Sequence, residues 1–142
     1  MADPNVADRF IFTSLAADSA LTAIVGGKIY NEIATPTTPP VAPPYVLYQM
    51  QSAVGLRTIG VHIVWSNMLF LVRGVVEANS YTGASKTMAD RIETVLHAAS
   101  GSNIDGVLFA CVWENPFRLP EIADGRILRH QGAMFRIYAR GA

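Results

Sequence analysis

Residues 68–96, MLFLVRGVVEANSYTGASKTMADRIETVL, carry the two periodicities that decide the fold. From Met68 to Glu77 the run is rich in Leu, Phe and Val and apolar at both alternating positions. That is a strand whose two faces both need cover, by helix on one side and by helix or a neighbouring subunit on the other. Thr82 then supplies a side-chain acceptor for a helix start. Ala84, Met88, Ile92, Val95, Leu96 and Ala99 fall on one stripe opposite Lys86, Asp90, Glu93 and His97, the mark of a helix with one buried face. Ser100 and Gly101 end it.

Upstream, Ile59, Val61, Ile63 and Trp65 alternate with Gly60 and His62 in a strand from Thr58 to Trp65, and Ser66-Asn67 reads as a hairpin tip before Met68. Tyr45 to Gln51 is another β-type run, broken by Ser52-Ala53-Val54-Gly55. Between Ile33 and Pro44 the prolines at 36, 39, 40, 43 and 44 forbid helix interior and central strand alike, which leaves an extended, stiff loop. A short strand from Lys28 to Glu32 precedes it, after Gly26-Gly27 stops a helical turn that Asp18 or Ser19 caps and that carries Leu21, Ile24 and Val25. Asp3-Pro4 opens an amphipathic helix to about Ala17, with Val6, Ala7, Phe10, Ile11 and Leu15 on its apolar side.

Downstream, a strand from Gly106 to Glu114 leads to a connection from Asn115 to Arg126, punctuated by Pro116, Pro120 and Asp124-Gly125. A last strand runs from Ile127 to Ala139. Helix, strands, helix, strands in that order give an α+β fold, with a mostly antiparallel sheet flanked by an N-terminal helix and one central amphipathic helix. With 142 residues and no repeat or linker, the chain reads as one domain.

Charge is balanced, 11 Lys plus Arg against 11 Asp plus Glu, which points neither to nucleic-acid wrapping nor to an anionic membrane surface. The apolar fraction of 51% beside 15% charged residues is lopsided for a small domain. Surplus apolar surface of that kind suits subunit contacts. The two longest uncharged stretches hold prolines or polar residues and read as no membrane span, and no secretory signal is visible at the N-terminus, so synthesis in a reducing cytoplasm is expected.

Residues suited to chemistry each have an ordinary local reading. Cys111, the single cysteine, sits mid-strand among Leu108, Phe109, Ala110 and Val112 and reads as a buried thiol. His62, His97 and His130 lie on separate elements without metal-ligand spacing, and His97 stands four residues after Glu93 as a helix-surface pair. No phosphate-loop pattern accompanies Gly26-Gly27. Asp90 with Glu93 and Glu114 with Glu121 are the carboxylate pairs that acid–base work could use, and the first sits on an exposed helix face. Arg118, Arg126, Arg129, Arg136 and Arg140 gather in the last quarter without stacking aromatics or a recognition helix, as solvated strand edges or subunit ion pairs would. No catalytic, metal or cofactor site is expected, and no cofactor.

The order of features resembles the tail-completion family of tailed phages, the gp17-like tail-to-head joining or tail-terminator proteins. The resemblance rests on Leu15 to Tyr30 (LAADSALTAIVGGKIY), the proline-rich gap closing on Pro43-Pro44-Tyr45-Val46, Val64-Trp65-Ser66, the helix from Ala84 to Leu96 and the closing Phe135-Arg136-Ile137-Tyr138. One departure is the strongly apolar Met68 to Val72, where a more polar segment belongs. The resemblance implies a virion protein rather than an enzyme. It would form a homo-oligomeric, hexameric ring at the head-proximal end of the tail, contacting the tail tube protein on one face and the head–tail connector or stopper protein on the other. DNA would pass through the lumen. Two alternatives stay open, another neck component of the head-closure type and a small ligand-binding domain or enzyme. The expected subunit contacts are Pro36, Pro39, Pro40 and Pro43 in the first loop, Met68, Phe70 and Val72 on an exposed face of their strand, and Pro116, Phe117, Arg118, Leu119 and Arg126 in the second loop.

Overall fold

The computed structural model describes residues 4–34, 40–57 and 63–141, with the side chains of residues 57, 63 and 64 left aside. Three helices, α1 (Asn5–Ala16), α2 (Ser19–Val25) and α3 (Ala84–Leu96), pack on a sheet of six strands. The strands are β1 (Ile29–Asn31), β2 (Tyr45–Arg57), β3 (Ile63–Glu77), β4 (Ala99–Asn103), β5 (Gly106–Ala123) and β6 (Arg126–Gly141), in the spatial order β1-β2-β3-β6-β5-β4. Among the described strands only β1 against β2 is parallel. The architecture is the α+β arrangement expected from the sequence, with a curled sheet.

The core lies between the helices and one sheet face. Val6, Ala7, Ile11 and Leu15 of α1, Leu21 and Val25 of α2, and Met88, Ile92 and Leu96 of α3 meet Val46 and Tyr48 of β2, Met68, Phe70, Val72 and Val76 of β3, and Ala133, Phe135, Ile137 and Ala139 of β6. Each large side chain so buried is worth roughly 1.5–3 kcal/mol of transfer free energy. The stripe on α3 matches the sequence pattern except at its two ends: Ser85 replaces Ala84 on the buried side and donates its hydroxyl to Gln131 at 2.6 Å, and Ala99 lies in β4.

Local signals place the α1–α2 junction. The Asp18 carboxylate accepts the Leu21 amide at 3.0 Å and caps α2, while Gly26 closes the helix in a left-handed conformation. Asp18 also accepts from Arg91 Nε of α3 at 3.1 Å, and that guanidinium, with the capped amide, holds the carboxyl below its ordinary range against the opposing effect of burial. Because the folded pKa is depressed, the stabilisation is present above the unfolded carboxylate value and is lost as pH falls through the folded one. We expect Asp18→Ala to cost about 1–2 kcal/mol in urea unfolding at neutral pH. Arg91→Met should flatten the acid limb of the stability–pH curve.

Several boundaries differ from the sequence reading. The Asp3 cap lies outside the described residues, and Pro4 stands at the α1 N-cap. Gly83, not Thr82, precedes α3 and offers no side-chain cap; Thr82 instead shares a 2.8 Å hydroxyl contact with Ser80. Ser100 and Gly101 are not the helix end but part of β4, because extended His97 and positive-φ Ala98 have already turned the chain. His97 makes no surface pair with Glu93; its Nδ1 accepts the Trp113 amide at 3.1 Å.

Ser66-Asn67 is mid-strand, not a hairpin tip. Ser66 pairs with Gly55 and Asn67 with Val54, and the Ser52–Gly55 break is absorbed as a register shift between Met50 and Ser52. The polar pair is tolerated there because Asn67 Oδ1 accepts from Arg136 Nη1 at 3.1 Å. Residues 58–62, between β2 and β3, lie outside the described residues, and with them most of the strand expected from Thr58.

The expected loop from Asn115 to Arg126 is also strand. β5 continues to Ala123 and turns at Asp124-Gly125 into β6. Its prolines fit because of the side they face. The Cys111 carbonyl accepts the Ala98 amide and the Trp113 amide reaches His97, so both point away from β6. These residues pair with Ile137 and Phe135, and Pro116 and Pro120 pair with Ala133 and Arg129, further odd-numbered β6 positions of the same alternation. Both prolines therefore turn their missing donors outward, where β5 has no further strand among the described residues.

Candidate functional site

Helices cover one face of the sheet, and the other carries the molecule's polar network. On that face β3 presents Asn67, Leu69, Leu71, Arg73 and Val75, the set that alternates with the core residues Met68, Phe70 and Val72. Arg73 is half-buried at its centre. Its Nε donates to His130 Nδ1 at 3.0 Å and its Nη1 to Gln49 Oε1 at 2.9 Å, while the guanidinium lies 5.8 Å from the Phe117 ring centroid. A guanidinium only donates, so Nδ1 of buried His130 is the acceptor and the ring proton sits on Nε2, 2.7 Å from Glu121 Oε2. Burial lowers the Arg73 pKa, and it raises that of neighbouring Tyr45, with Glu121 adding to the latter rise. The network ties β2, β3, β5 and β6 together across the sheet.

A second group lies towards the other end of this face. Arg136 reaches both Glu114 carboxylate oxygens at 3.1 Å. Trp65 and Phe109 meet edge to face at 6.1 Å, Arg140 lies over Phe109, and Val54, Leu56 and Val112 stand exposed. Large apolar groups on this corner, with Trp65 at 41% and Val54 at 60% exposure, are the surplus that composition foretold.

The expected contact residues separate. Met68, Phe70 and Val72 are 0% exposed in the core, so in this fold they are unavailable to a neighbour. Both faces of β3 are apolar, and the helices took the one expected to stay open. Phe117, Arg118, Leu119 and Arg126 lie on the β5–β6 arm with Pro116: Phe117 under Arg73, Arg118 over the Tyr81 ring at 4.9 Å, Leu119 exposed, and Arg126 3.5 Å from Glu77. Ile122 at the arm's tip is 80% exposed. Pro40 is exposed and Pro43 half-buried beside Ala42, whose carbonyl accepts from Lys28 at 2.7 Å. Pro36 and Pro39 lie outside the described residues. The Arg73–His130–Glu121 network went unread in the sequence, although Arg73 within an otherwise apolar strand is the signal that marks the helix-free face.

Groups suited to chemistry are dispersed. Among the described residues no cluster of three or more His, Cys, Asp and Glu side chains is placed to hold a metal, and no helix is long and apolar enough to cross a membrane. An open cleft of about 270 Å³ beside α1 is lined by Asn5, Asp8, Arg9, Phe12, Tyr48 and Asp105, with Arg9 engaged by Asp105 at 2.7 Å. Cys111 is buried, and burial pushes its thiol up to about 12. The folded protein should therefore leave an aromatic disulfide reagent unreacted at pH 8 and yield its one thiol only on unfolding. The folded state keeps this proton where the unfolded thiol releases it, so stability from this group falls as pH rises from the unfolded value towards 12.

No protein-family model matches this chain, and no curated protein does. Among solved structures, a chain from the virion of the native gene transfer agent particle superposes with a TM-score of 0.71 at 16% identity, covering 97% of this chain and 96% of that chain. The two chains share one fold. The likeness runs end to end, so it includes the helix-covered core and the long β5–β6 arm alike.

Proposed function

We propose that this chain is a structural virion protein, a tail terminator whose copies form a ring on the last tail-tube ring and join the tail to the head connector. The near end-to-end fold match to a virion component carries this reading. The exposed apolar corner and the projecting β5–β6 arm fit it, since a ring subunit needs two different patches that meet its neighbours. The sequence resemblance supplies the position at the head-proximal end. In this reading the subunit performs no turnover, needs no cofactor, assembles in the host cytoplasm and lets DNA pass through its lumen.

Labelled antibody against this chain, imaged on assembled particles, tests the proposal. Label at the head-proximal end of the tail is the expected result, and particles lacking the chain should carry overlong or unjoined tails. Label elsewhere, or normal tails without the chain, would overturn it.

A further inference from the structure

The two edges of the sheet are finished differently along their length. β5 is closed by three devices: β4 pairs with it as far as Cys111, His97 takes the Trp113 amide, and Pro116 and Pro120 withhold donors beyond. Such guarding keeps an edge from recruiting another strand. Among the described residues the outer edge of β2 has none of it past Tyr48. Val46 donates to Lys28 and Tyr48 accepts from Glu32, so both face away from β3, against Gly74 and Val72. Continuing through Phe70, Met68 and Ser66 turns Met50, Ala53 and Gly55 outward too, in a segment (Gln49 to Leu56) with no proline and no charge. Gln51, Ser52, Ala53 and Val54 are exposed, so this corner is bare on its faces as well as along its edge.

Among the described residues the outer side of β4, ASGSN at 99–103, is the other edge without a strand partner, and it too lacks proline and charge; α1 packs on its face, where Asn103 Nδ2 donates to the Val6 carbonyl at 3.1 Å. The two stand at the same height. One row of partners runs Ala53, Met68, Ile137, Cys111, Ala99, and the next runs Gly55, Ser66, Ala139, Leu108, Gly101. Four antiparallel steps separate β2 from β4, so the two strands point the same way. A rotation axis lying along the strands preserves direction and height, and it brings β4 of one copy beside β2 of the next as a parallel pair. Contacts of this kind join different patches and close into a ring without rise. Edges at unequal heights would give a helix instead.

We infer that Met50 to Leu56 of β2 is a docking edge for β4 of a second copy of this chain, joining the sheets of successive subunits. The inference rests on the ring reading above and specifies the contact that closes it. The apolar side chains of Val54, Leu56 and Trp65 then flank the new strand pair, while Pro116 and Pro120 keep the other long edge out of competition.

Two variants test it, on the full chain at high concentration and on purified particles, read by native mass spectrometry and electron microscopy. Ala53→Pro removes an outward amide that has no partner among the described residues, so melting temperature should stay within a few degrees while rings are lost. Leu56→Cys combined with Ser102→Cys should yield, on oxidation, a ladder of covalent multimers ending at the ring's own stoichiometry. Within one copy these residues sit four strand spacings apart, roughly 19 Å, far beyond the ~7 Å a disulfide spans. Neither single cysteine variant should form a ladder. If Ala53→Pro impairs folding, the ladder decides alone. Rings that persist in Ala53→Pro with no ladder in the double variant overturn the edge contact and leave the ring reading standing. Absence of any ring in the unaltered protein, free or on tails, overturns both.

Discussion

Replacing Gly132 with alanine is expected to cost about 3 kcal/mol or more and to leave little folded protein. A Cβ at this position would lie 2.0 Å from the Val72 carbonyl oxygen and 2.6 Å from Arg73 Cα. Both obstacles are backbone of the neighbouring strand, so no rotamer change relieves them. β3 and β6 would have to part at the centre of the sheet, where Val72 pairs with Ala133 and Arg73 with Gly132, and ladder bonds on both sides would stretch. The glycine is required here for space, since its φ is not in the left-handed region. Gly125, at φ +75 with nothing within 4 Å, is the comparison, and alanine there should cost only about 1 kcal/mol. Urea midpoints of the two variants give the ranking. A Gly132→Ala protein as stable as Gly125→Ala would show that the two strands do not approach this closely. The tight approach also brings Arg73 beside His130 and Phe117, so the same substitution should disturb the network on the helix-free face.

Helices were legible because their information is local: the α3 stripe, the Asp18 cap and the Gly26-Gly27 stop need only neighbours within a turn or two. Strand ends were not, because polar residues that read as breaks are answered from distant sequence. Asn67 is taken by Arg136 and Glu121 by His130, so no turn is needed where the composition suggested one. Pro116 and Pro120 looked like loop markers for the same reason: their tolerance depends on which side of β5 lacks a strand, a fact about β4's short length. The choice of face on β3 was readable in principle. Gly74 shares the register of Met68, Phe70 and Val72 and admits Met88 of α3, whereas Arg73 stands on the opposite side with Gln49 and His130. The exposed sheet edges were the least legible, since exposure on an edge is a property of the topology and not of any segment.

The second large effect concerns the residues expected to meet a neighbour and found in the core. Phe70 and Phe135 are directly paired across β3 and β6, both 0% exposed beneath the helices. Phe70→Ala should lower stability by about 3–5 kcal/mol through lost burial and the cavity left behind. Phe135→Ala should do the same, and the double variant should lose less than the sum, because the first deletion already removes contacts that the second would break. Had Phe70 faced a partner subunit, truncation would weaken assembly and spare the melting temperature of the free chain. Phe109, 43% exposed against Trp65 and Arg140 on the helix-free side, supplies that contrasting behaviour. Its alanine variant should keep the fold to within about 1 kcal/mol, as a partly exposed side chain does, and should weaken subunit association if the apolar corner is buried between copies. Thermal unfolding and sedimentation of the three single variants separate the cases. A Phe70→Ala protein with unchanged melting temperature and lost association would reverse the assignment of the two faces of β3.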